Sequence, residues 1–318
     1  MDFFITIIVF IIVLFLYIHI LDQYKKSEDL EIYEMDYSTN IHLQEVCNVK
    51  QPVLFEFKTS CPEIFEEIGL ESLLDKGSHD VKVKDTNDYW IPDSTSIDYV
   101  TIPFTSFHGL AKTDPRSHFF TENNHDFIEE SGLYSKCSKI DEFIKPNYTA
   151  QTKYDIIMGS INTATPLRYH TDNRRFISVC SGKIHVKMTP WKSHKYLHPV
   201  KDFENYEFYS SINVWKPQSQ YVNEMNKTKF LEFDVYAGYV LFIPPYWWYS
   251  IKFSSEPDTI IMGARYNSVM NLVSNIPNIT KYYLQQQNIT NKTTRILKLE
   301  DSVDTDETPV VDNVEPNE

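Results

Sequence analysis

The chain has 318 residues, 42% hydrophobic and 14% aromatic, a composition that excludes an intrinsically disordered protein and supplies a sizeable core. A net charge of −14 excludes a nucleic-acid backbone as the principal partner. Cys47, Cys61, Cys137 and Cys180 are scattered without a CxxC pair, which excludes a disulfide scaffold and leaves free thiols as the expectation.

Residues 3–20, "FFITIIVFIIVLFLYIHI", carry no formal charge and no polar stripe. As a helix they extend about 27 Å, close to the hydrocarbon thickness of a bilayer. The flanks lack the basic start and small-residue cleavage site of a signal peptide, so residues 1–22 are expected to be a single-pass transmembrane anchor with the membrane as partner. Lys25 and Lys26 follow the span while Asp2 precedes it, which favours a cytosolic domain. Sequons at Asn147, Asn226, Asn278, Asn288 and Asn291 point the other way, to the lumen.

Residues 23–40 are polar and expected as a linker. "QPVLFEFK" (51–58) alternates as a strand, and "CPEIFEEIGLESLLD" (61–75) spaces Phe65, Ile68, Leu70 and Leu73 as a helix. Short β-rich runs follow, "YDIIMGSIN", "RRFISVCSGKIHVKM", "KFLEFDVYAGYVLFIPP" and "DTIIMGARYN", separated by Gly, Pro and Asn. That punctuation predicts an antiparallel sandwich or barrel rather than βαβ units. Residues 271–299 are helix-compatible, with Leu272, Ile276, Tyr283 and Leu284 available for packing. The last stretch, 300–318, holds eight acidic residues and no basic one, and is expected to be a disordered, solvated tail.

Two segments together carry a family resemblance: "IIMGSINTATPLRYHTDNRRFISVCSGKIHVKMTPW" (156–191) and "VYAGYVLFIPPYWWYSI" (235–251). Their order and context resemble the JmjC/cupin-like family, the cupin-8 type in particular, over residues 41–270. The resemblance implies a mainly β double-stranded β-helix, cupin- or jelly-roll-like, with flanking helices. It also implies the chemistry of protein hydroxylases and demethylases that use Fe(II) and 2-oxoglutarate.

That chemistry needs two His and one carboxylate on one face of an iron, with positions left open. His170 and Asp172 have the HxD spacing that places alternate strand residues on the same side. The family's His follows Thr-Pro-Leu directly, and here Arg168 stands in that slot. Strict register therefore puts Arg168 and His170 in the two ligand positions, and the use of His170 and Asp172 requires a slip of two residues along the same strand face. Tyr249 stands where the family's distal His follows Trp-Trp, and a phenol is a poor Fe(II) ligand at neutral pH. The family's co-substrate Lys is replaced by Ile184, with Lys183 and Lys187 on the other face. Arg168, Arg174 and Arg175 are alternatives for holding a carboxylate, or else Arg174 and Arg175 flank the strand at the surface. Trp248, with Trp247, is expected in the barrel wall or beside the pocket. His194 and His198 are a weaker metal pair, in a Pro-bounded segment without an acidic partner.

Three departures at once favour a degenerate, non-catalytic barrel that binds a small anion, a protein or a peptide and needs no cofactor. The alternative is a hydroxylase or demethylase-like oxygenase using Fe(II) and 2-oxoglutarate at an atypical metal site.

Overall fold

The computed structural model of the chain describes residues 2–91 and 97–288. The acidic tail and the end of the helical extension lie outside the described residues.

Fifteen strands are found among the described residues: β1 (Tyr33–Asp36), β2 (Val53–Glu56), β3 (Asp80–Asp85), β4 (Val100–Pro103), β5 (Phe119–Thr121), β6 (Thr149–Gly159), β7 (Arg168–Tyr169), β8 (Arg174–Ser181), β9 (Lys183–Thr189), β10 (Pro199–Asp202), β11 (Glu207–Ser210), β12 (Leu231–Tyr236), β13 (Tyr239–Ile243), β14 (Trp248–Phe253) and β15 (Ile260–Ser268). They form two sheets, a nine-stranded one ordered β1-β2-β13-β8-β15-β6-β5-β3-β4 and a six-stranded one ordered β10-β11-β7-β14-β9-β12. The protein is therefore mainly β, with helices added. From β6 onward the chain crosses repeatedly between the sheets, so that β6, β15, β8 and β13 neighbour one another in the large sheet and β7, β14, β9 and β12 in the small one.

Strand alternation sorts the side chains into layers. Ile177, Leu241 and Ile261 of the large sheet meet Ile184, Val186 and Ile251 of the small sheet in a shared core. The residues between them in sequence, such as Phe176, Phe242 and Met262, face outward and pack under helices that include Asn40–Cys47 and Phe104–Thr113. A third cluster, with Leu167, Tyr169, Phe208 and Trp248, covers the outer face of the small sheet. Each fully buried large aliphatic side chain contributes about 1.5–3 kcal/mol relative to exposure.

Several local expectations differ from what forms. Residues 61–75 make two helices, Pro62–Glu67 and Leu70–Leu74, because the chain leaves the helical region at Ile68 and Gly69. The expected linker 23–40 contains β1, which pairs in parallel with β2. Residues 104–144, for which the sequence specified no elements, are largely helical. Ile276, Tyr283 and Leu284 of the helix Ile276–Asn288 are exposed rather than packed. The four cysteines are free and buried, as their spacing indicated.

At the N-terminus the helix Asp2–Tyr24 contains one apolar stretch, Phe3–Tyr24, long enough to cross a membrane and not buried against the rest of the protein. Length and composition establish that much, and a signal sequence would pass the same test.

Candidate functional site

β7 lies in the small sheet and β8 in the large one, so residues 170–173 connect the two sheets at one end. β7 is held by β11 on one side, with Tyr209 opposite Arg168, and by β14 on the other, with Tyr249 opposite Arg168. This pairing brings the HxD segment and the Trp-Trp strand together: the rings of His170 and Tyr249 are 6.2 Å apart.

His170 is buried, and its Nε2 lies 3.0 Å from the carbonyl oxygen of Ile243 in β13. A carbonyl only accepts, so Nε2 carries the hydrogen and donates it. Nδ1 is left as a lone pair, buried with no hydrogen-bond partner, 3.6 Å from Asp172 Oδ2. Burial, with help from the Arg175 charge, holds the imidazole down to about 3 and therefore neutral at physiological pH.

Arg175 is the residue that organises this end. Its Nε and Nη2 donate to Asp172 Oδ2 at 3.1 and 3.0 Å, and its Nη1 donates to the Tyr249 hydroxyl at 2.5 Å. Asn267 donates to the other oxygen of Asp172 at 3.2 Å. Burial would raise the Asp172 carboxyl, but Arg175, His170, Arg265 and the Asn267 hydrogen bond together outweigh it and hold it at about 2. Asp172 is thus a carboxylate committed to a guanidinium.

On the other side of Tyr249 lies a second charged group. Arg168, its guanidinium 5.5 Å over the Tyr249 ring, donates to Glu122. Lys84 donates to Glu122 at 3.2 Å and also bonds Glu207. Glu207 accepts further bonds from Tyr89 at 2.8 Å and Asn123 at 2.9 Å. Arg168 Nε is buried without a partner. Tyr249 therefore stands between two arginines from different sheets.

The remaining sequence candidates lie away from this interior. Arg174, one residue from Arg175, points to the opposite face and donates to Gln44 and Asn48 of the helix Asn40–Cys47 and its end. Lys183 and Lys187 pair with Asp234 and Glu232 of the neighbouring β12, on the outward side of β9. Trp248 faces outward into the cluster with Tyr169, whereas Trp247 and Tyr249 face inward. His194 stacks on Trp191 at 3.9 Å, while His198 lies against Tyr221. Ile184 fills the shared core.

Lys84, Glu122 and Glu207 were not singled out by sequence. Lys84 had one available signal: it alternates with Val81 and Val83, which fixes it on the face opposite those core valines. Among the described residues, no group of three His, Cys, Asp or Glu side chains is placed to hold a metal ion. Compared with models of known families and with curated proteins, the chain matches none.

Proposed function

We propose that the chain is a membrane-anchored JmjC/cupin-like protein whose barrel is a binding module, with the Arg175 guanidinium in the place of the iron. The observation that carries this is the bridge from Arg175 to Asp172, the carboxylate of the HxD pair, and to Tyr249, the residue after Trp-Trp. A fixed guanidinium there neutralises Asp172 and repels a divalent cation. His170 Nε2 is engaged by the Ile243 carbonyl, which leaves only Nδ1 as a lone pair. This donor set does not fit Fe(II). The apolar packing around Ile184, where the family keeps a Lys for 2-oxoglutarate, points the same way.

Support for a double-stranded β-helix comes from the strand order, in which the chain alternates between sheets to give β6-β15-β8-β13 facing β7-β14-β9-β12. Support for a retained anchor comes from its C-terminal end. Tyr24 donates to the Ser274 carbonyl, Lys50 donates to the Asp22 carbonyl, and Lys26 lies 3.8 Å from the centre of the Trp191 ring. Cleavage of a signal peptide would discard the first two contacts. Lys25 and Lys26 favour the cytosolic side for the domain.

The test is an anaerobic titration of the full chain in non-ionic detergent with Fe(II) or Co(II). The wild type is expected not to bind stoichiometrically. The double variant Tyr249→His with Arg175→Leu removes the competing cation and adds a neutral nitrogen, and is expected to gain binding. Tight stoichiometric binding by the wild type, abolished by His170→Ala, would overturn this reading and favour the oxygenase.

A further inference from the structure

β6, β15 and β8 are adjacent in the large sheet, and their register sets Lys153 opposite Arg265 and Arg265 opposite Arg175. Their neighbours Tyr154, Ala264 and Phe176 face the helical layer, so all three cations share the face turned toward the small sheet. None of the three is fully buried, which places the row at the open end. Like charges directly opposite on neighbouring strands destabilise a sheet. A row of three therefore calls for a compensating charge.

The protein supplies only part of it. Asp172 neutralises Arg175. Asp155, one step deeper, accepts from the backbone N–H groups of Asn123 and Asn124 at 2.8 Å each and feels the Arg265 charge, as Asp172 does, so two carboxylates face three cations. Among the described residues, Lys153 and Arg265 make no ion pair, and Arg265 Nε is buried without a hydrogen-bond partner. Burial lowers the Lys153 ammonium, and the Arg265 charge lowers it further.

We propose that Lys153, Arg265 and Arg175 form a binding site for an oxyanion, a phosphate or carboxylate group, at the open end between the two sheets. An oxyanion laid across the row would receive charge-assisted hydrogen bonds from Arg265 and Lys153 and relieve their repulsion. The site adjoins the N-terminal helix: Asn271 donates to the Thr171 carbonyl at 3.0 Å and to Gln23 Oε1 at 3.4 Å. Both a soluble anion and a lipid headgroup could therefore reach it. The proposal extends the binding-module assignment, because it keeps Arg175 in the metal's place.

The experiment uses the full chain reconstituted in phosphatidylcholine nanodiscs, with the thermal midpoint of the domain read by tryptophan fluorescence. Inorganic phosphate and citrate are titrated in one arm, and phosphatidic acid replaces part of the lipid in the other. A saturable rise in midpoint is expected in at least one arm. Soluble anions raising it identify a free ligand, and phosphatidic acid alone raising it identifies a headgroup. Arg265→Gln and Lys153→Gln are expected to weaken the response about tenfold or more, while Lys153→Arg retains it. Without ligand, both Gln variants are expected to unfold at higher temperature than the wild type, because a like charge is gone. No saturable response to any probe, Gln variants that respond as the wild type, or Gln variants that unfold earlier without ligand would overturn the site. The iron titration separates the two claims: iron uptake with an intact anion response defeats the binding-module assignment alone.

Discussion

Tyr249 shows how one side chain organises its surroundings. Its phenol presents a hydroxyl that accepts from Arg175 and a ring face that meets Arg168. The two arginines are then divided between Asp172 and Glu122. Glu122 is the more exacting of these partners. Burial would raise its carboxyl, but Arg168 and Lys84 outweigh burial and hold it at about 2, against an ordinary 4.5. A depressed folded value means the stabilisation is complete above about 4.5 and is lost as pH falls from there toward 2, roughly 3 kcal/mol in all. Glu122→Gln is expected to destabilise the protein by about 3–5 kcal/mol at pH 7, because Arg168 loses its carboxylate in a buried site. It should also flatten the acid limb between pH 4.5 and 2. Urea midpoints across that range check both effects, and a variant with wild-type midpoints at pH 7 would show that the network contributes nothing.

Among the elements, the corner between β8 and β9, where the chain passes from the large sheet to the small one, is tightly specified. Gly182 turns it with φ +74, a conformation that suits glycine, and a Cβ there would meet Thr259 Cα at 3.1 Å. The turn sets the step from large sheet to small, and with it the inward aim of Arg175 on one strand and Ile184 on the next. Gly182→Ala is expected to cost about 1–3 kcal/mol from strain and crowding. Equilibrium urea unfolding measures it, and an unchanged midpoint would refute the strain. Metal titration of the same variant should stay negative, because the loss is one of stability.

At the scale of the whole molecule, the N-terminal helix and the domain meet at one end, where Val269 and Ile276 are exposed beside the helix seat. Apolar side chains at that position suit a bilayer interface under the proposed membrane anchor. Alkaline carbonate extraction of expressing cells is expected to leave the full-length chain in the membrane pellet. Recovery in the soluble fraction, or loss of the first residues, would exclude the anchor. Orientation has its own readout in the same sample. Asn147 and Asn226 are exposed, so a lumenal domain would carry glycans at accessible sequons and shift on deglycosylation. On the proposed cytosolic orientation, which Lys25 and Lys26 favour, no shift is expected.

The sequence by itself determined the features that depend on local order. The apolar run of residues 3–20 makes a helix of spanning length whatever surrounds it, and the alternation and Gly-Pro punctuation of residues 154–268 specify strands. His170 and Tyr249 were legible as a pair because each sits in a recognisable strand context. The roles of Arg174 and Arg175 were not legible. Their order in sequence is compatible with either face, and only the register of β8 between β13 and β15 turned Arg175 inward and Arg174 toward Asn48. Lys84, Glu122 and Glu207 come from three strands or strand ends far apart in the chain, so no spacing rule connects them before the sheets close. The row of Lys153, Arg265 and Arg175 has the same origin, since cross-strand neighbours are set by pairing and not by distance along the chain. Local propensity chose the strands, and the pairing of the strands decided which charges face each other.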